Sequence, residues 1–144
     1  MKKLLFLLAL MLVLPLHAAK RPRSSPLDKW RKACAENSPR ELELLTGSET
    51  CFRKVRAELG DAALFERMAQ LLKKQFRHYD AKTVNSALKL MKELQGAVDP
   101  VRAATDYTHI RSRVEIFMDK EPDKWRSALD TLDAMIKQLQ TDYR

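Results

Sequence analysis

The sequence predicts an all-α protein: a helical bundle of four long amphipathic helices preceded by a short, disulfide-pinned helical N-terminal cluster. Three observations carry that prediction. From Asp61 onward the apolar residues recur at spacings of three and four, with no convincing alternating stretch. Each run of that kind begins behind a residue suited to helix starts, chiefly Asp or Pro. The chain has only three glycines, and each falls where a helix should end.

The first expected helix starts at Ser25-Pro26, with Ser25 as cap and Pro26 at the first helical position, and carries Leu27, Trp30 and Cys34 on one face to about Glu36. Ser38-Pro39-Arg40-Glu41 fits the S-x-x-E capping box of a short second helix that stops at Gly47. Ser48 opens a third, with Phe52, Val55 and Leu59 turned inward and Gly60 at its end. Four long stripes follow. Asp61 caps the stripe Leu64, Phe65, Met68, Leu71, Leu72, Phe76 and Tyr79. Asp80 precedes Val84, Ala87, Leu88, Met91, Leu94 and Val98, which Gly96 closes. Asp99-Pro100 opens Ala104, Tyr107, Ile110, Val114, Phe117 and Met118, and Glu121-Pro122 opens Trp125, Leu129, Leu132, Met135, Ile136, Leu139 and Tyr143. Such stripes bury best by packing together as an antiparallel bundle.

The N-terminus sets the expected compartment. Lys2 and Lys3 precede an unbroken apolar run from Leu4 to Leu14, then Pro15 and the small pair Ala18-Ala19, the order of a secretory signal peptide. The run is too short for a permanent membrane span, which needs about 20 residues. Cleavage is expected after Ala19, so residues 1–19 are read as the signal peptide, 20–25 as a flexible basic tail ("KRPRSS") and 26–144 as one helical domain. No cysteine stands at the junction to accept a lipid. The expected product is soluble and periplasmic or secreted, with no permanent membrane span.

Removing the leader reduces the net charge from +8 to +6, and the basic tail holds half of what remains. That is far from the concentrated basic stripe of a nucleic-acid binder, so no nucleic-acid partner is expected. The only two cysteines, Cys34 and Cys51, form an even count in an exported chain and are expected to pair as a disulfide. A loop of that length implies roughly 3 kcal/mol in the chain-entropy picture.

No motif for chemistry emerges. Covalent haem needs C-x-x-C-H, which is absent, and the stripe residues Met68, Met91, Met118 and Met135 read as core filler; no cofactor is expected. Asp106, His109 and Arg113 form a column at i, i+3 and i+7, but two metal ligands need at least a third and none is named, so solvated helix flank is the expectation and no metal site is assigned. A Ser on a Gly-flanked turn, an H-E-x-x-H pair and a free nucleophilic Cys are likewise missing, and no catalytic residue is assigned. Lys73, Lys74, Arg77, Lys89, Lys92 and Lys137 fall opposite the stripes, as solvated residues do.

Two local basic groups remain: Arg53, Lys54 and Arg56 in "RKVR", and Arg111 with Arg113. They form a candidate partner-binding patch for an acidic protein, an anionic lipid head group or peptidoglycan carboxylates, offset by Glu49, Glu58 and Glu115. The expected role is therefore non-catalytic: binding another envelope or secreted protein as a chaperone, adaptor or accessory subunit of a secretion or envelope system. A toxin-neutralising immunity protein is the alternative within binding, and a small helical enzyme acting on an anionic metabolite or cell-wall material is the competing class.

One repeat stands out. "DKWR" occurs at Asp28–Arg31 and Asp123–Arg126 and holds both tryptophans of the chain. Each copy follows a proline and places an acid in the first helical turn, which predicts two helix starts, each anchored by a buried ring.

Overall fold

The computed structural model describes residues 25–142. The expected leader, residues 20–24 of the tail, Tyr143 and Arg144 lie outside the described residues. Within them the chain is all-helical, without a strand. The α-helices are α1 (Pro26–Ala35), α2 (Arg40–Gly47), α3 (Glu49–Leu59), α4 (Asp61–Lys74), α5 (Ala81–Leu94), α6 (Pro100–Met118) and α7 (Pro122–Asp142). One-turn 3₁₀ segments, Phe76–His78 and Gln95–Ala97, follow α4 and α5.

Local chemistry explains most of the starts. Ser25 Oγ accepts from Asp28 N at 3.1 Å and caps α1. Ser48 Oγ accepts from Cys51 N, Asp80 Oδ1 from Thr83 N and Asp99 Oδ2 from Arg102 N, each satisfying an amide that the first turn leaves free. Gly60, at φ +87°, lets the chain leave α3 and enter α4 without a spacer.

Several expectations are corrected. The capping box at α2 does not close: Ser38 Oγ accepts from Arg40 N, and the Glu41 carboxylate turns away to Arg67 on α4. Asp61 is the first residue of its helix rather than its cap, and its carboxylate takes Arg56. The stripe through Tyr79 is not one helix, because α4 stops at Lys74 and Gln75 bridges to the α1–α2 turn, donating to Asn37 O at 3.2 Å and accepting from Tyr79 Oη. Leu59 is 37% exposed at the very end of α3, where no neighbour covers it.

The expected Cys34–Cys51 bridge is not formed; both thiols are free. α1 and α3 run side by side in the same direction, with Cys51 Sγ 3.7 Å from Pro26 O and Arg31 paired to Glu58. Cys51 therefore lies at the start of α1 and Cys34 at its end, roughly two helical turns away, whereas a disulfide requires Cα atoms within about 7 Å.

The core is continuous. α4 packs on α5 and α6, and α7 packs on α5 and, most extensively, on α6, while α1, α2 and α3 gather at the α4–α5 side. Leu64, Phe65, Met68, Leu88, Met91, Tyr107, Ile110 and Leu132 are fully buried in the shared interior. Both tryptophans are buried, as the repeat predicts. Trp125 closes one end, with Phe76 and Phe117 at ring-centroid distances of 5.2 and 5.6 Å.

Candidate functional site

An open apolar groove lies on the α6–α7 hairpin. Pro100, Val101, Ala104, Thr105, Thr108 and His109 of α6 and Ile136, Leu139 and Gln140 of α7 line a groove of about 450 Å³. It carries no carboxylate, ammonium or guanidinium group. Its hydroxyls are turned into the helix: Thr105 Oγ1 donates to Val101 O and Thr108 Oγ1 to Ala104 O, both at 2.8 Å. With the protons spent on backbone carbonyls, the threonines present mainly methyl groups to the groove. The antiparallel hairpin holds the walls in register through the Arg111–Asp133 pair, which also raises the Arg111 pKa.

The basic patch expected from sequence is dispersed. Arg53, Lys54 and Arg56 are on α3 and Arg111 and Arg113 on α6; α3 packs on α1, α2 and α4, and α6 on α4 and α7. Most of these cations are also engaged. Arg53 pairs with Glu49, Arg111 with Glu115 and Asp133, and Arg113 donates to Lys73 O at 3.2 Å. Arg56 forms a two-pronged pair with Asp61 at 2.7 and 2.9 Å and lies 6.0 Å above the Phe52 ring. That guanidinium holds the Asp61 carboxyl below its usual range. Arg53 and Arg56, with Lys89, Glu49 and Glu93, line a second, mixed cleft of about 510 Å³ between α3 and α5. Its charges are largely satisfied within the chain.

Among the described residues two carboxylates are buried, each within a charged group. Glu41 has no exposed surface and accepts from Arg67 Nε and Nη2, both at 2.6 Å. The Cys34 thiol lies against this pair; burial first, and Glu41 second, push it up to about 12. Asp106 is 2% exposed, with Oδ1 2.8 Å from Lys73 Nζ and Oδ2 3.9 Å from Arg102 Nε. Asp106 and Lys73, expected on solvated faces, thus form the polar seam between α4 and α6. Asp106 does not join His109 in a site: among the described residues no three or more His, Cys, Asp or Glu side chains gather as a metal-holding group.

Sequence reasoning missed the groove, since Val101, Thr105 and Thr108 lie outside the apolar stripe assigned to α6. Their spacing and lack of charge were the available signal. It also missed Glu41–Arg67 and Lys73–Asp106, whose partners are far apart in the chain. Among the described residues no helix is long and apolar enough to cross a membrane. Comparisons with protein families, curated proteins and solved structures find no match for this chain.

Proposed function

We propose that the chain is an exported, non-catalytic protein-binding module whose α6–α7 groove receives an amphipathic helix of another envelope or secreted protein, in the manner of a chaperone, adaptor or accessory subunit of a secretion or envelope system. The observation that carries this reading is the groove itself: an open, apolar, charge-free channel between two long helices, with room for the apolar stripe of a third. Arg102, Arg111 and Asp133 beside it are paired within the fold, which leaves apolar fit as the main selector of the occupant. In the same reading α4, α5, α6 and α7 form a four-helix bundle that holds the groove rigid. The signal-like order of residues 1–19 supports the exported part of this reading.

Cross-linking capture from periplasmic extract tests the reading. Thr105→Glu puts a carboxylate in the groove from an exposed position, and Lys92→Glu, a larger change of charge, puts one on the exposed side of α5. The expected result is a defined protein recovered with the wild type and Lys92→Glu, and reduced at least about tenfold with Thr105→Glu, the scale of one buried unpaired charge. Equal recovery with both variants would mean that the groove is not the binding site.

A further inference from the structure

We propose that the exposed face of α6 seats a second copy of this chain, packed antiparallel across a twofold axis that passes beside Thr108 and His109. This goes beyond the binding of a partner helix: the face shares Val101, Thr105, Thr108 and His109 with the α6–α7 groove, so a second copy and a partner helix compete for it.

The face is unusual for a chain in which 32% of residues are charged. Val101, Thr105, Thr108, His109, Ser112 and Ile116 are all exposed and fall along one side of α6, between the flanks that meet α4 and α7. None is Asp, Glu, Lys or Arg. Val101 and Ile116, at 57% and 59% exposure, are the most exposed large apolar residues among those described. Ser112 Oγ donates to Thr108 O at 3.2 Å, continuing the inward hydroxyl bonds of Thr105 and Thr108. A face with apolar ends, hydroxyls satisfied within the helix and one imidazole at its centre allows another helix to pack at an ordinary axial distance of about 8–10 Å.

The order of residues points to a second copy as the occupant. A twofold interface requires a patch that complements itself. Reversing α6 about the point between Thr108 and His109 brings Val101 opposite Ile116, Thr105 opposite Ser112, and Thr108 opposite His109. Each bulky end then meets the other copy's bulky end, Thr105 meets Ser112, and each His109 ring lies against Thr108 of the other copy beside the axis.

The charges along both flanks agree with this register. Among the described residues Arg113 donates only to the Lys73 carbonyl, and the reversal carries it to the level of Ala104, half a turn from Arg102, where the one-third-exposed Glu66 side chain stands 3.2 Å from Arg102. On the other flank Arg111 is paired with Asp133, which places Lys137 one turn further along α7, level with Tyr107. Lys137 has no ion pair among the described residues, and the same reversal sets it opposite Asp133 of the second copy.

One helix face of this length lies at the small end of specific interfaces, so association in the micromolar range is expected. Sedimentation velocity over a concentration series is the experiment. The wild type should pass from monomer to dimer, and Val101→Glu and Ile116→Lys should each raise the dissociation constant at least tenfold with unchanged helical circular dichroism. A one-to-one mixture of the two variants should dimerise better than either alone, because the new carboxylate of one meets the new ammonium of the other. A wild-type monomer persisting to about 1 mM would overturn the proposal. So would a dimer indifferent to both variants, or a mixture no better than its components. A wild-type monomer that captures a partner through Thr105 would sink the pairing alone, whereas an Ile116→Lys monomer, whose groove is open and unaltered, that captures nothing would sink only the partner-helix reading.

Discussion

Glu41 shows how a single residue is redirected by its surroundings. Its position three residues after Ser38 suits a cap, yet its carboxylate is fully buried and takes both prongs of Arg67. The pair joins α2 to α4, and the Cys34 thiol is held protonated beside it. A carboxylate left buried without its cation is costly even when that cation is partly open to solvent. Arg67→Met should therefore cost about 2 kcal/mol or more in urea unfolding, and adding Glu41→Leu should recover most of the loss. A double variant as unstable as the single one would show that the pair contributes more than charge compensation. Neither partner announces the other in sequence, since Glu41 and Arg67 are 26 residues apart.

The helix starts were the most legible elements, because a cap and the amides it serves lie within one turn. Ser25, Ser48, Asp80 and Asp99 all behave as their positions predict. Asp80 offers a test at this scale. Its bonds to Thr83 hold its carboxyl below the usual range, so the charged form is favoured in the folded state. Its stabilisation is present above the unfolded-state pKa of about 4 and is lost as pH falls through the lower folded value. Asp80→Ala should cost about 1 kcal/mol at neutral pH, while Asp80→Asn should keep most of the cap and lose this contribution to the acid dependence. Thermal unfolding between pH 2 and 7 would check both; an unchanged acid limb in Asp80→Asn would contradict the assignment. Where elements were misread, distant contacts had intervened: α4 ends at Lys74 because Gln75 and Tyr79 are tied to each other and to the α1–α2 turn. α6 was read as having a single apolar face because its core stripe is so regular.

At the scale of the molecule, the two "DKWR" segments resolve into two helix starts whose tryptophans enter the same continuous core. Trp125 does more than begin its stripe. It stacks with Phe76, from the 3₁₀ turn after α4, and with Phe117, near the end of α6, so that three distant segments meet at one end of the fold. Trp125→Ala should cost about 3 kcal/mol or more, seen as a lower denaturant midpoint with little change in slope. A cost below about 1 kcal/mol would mean that this end relaxes to fill the space.

The sequence by itself determined that the chain is helical, where most helices begin and which residues of the long helices face inward. Those properties depend on neighbours within one or two turns, and the 3.6-residue period reports them directly. Only the tertiary structure decided that Glu41 and Asp106 are buried, that Cys34 and Cys51 stand at opposite ends of α1, that the residues of the expected basic patch are dispersed, and that one face of α6 lies open beside α7. Each of these depends on which helices become neighbours, and the helix period carries no record of that choice.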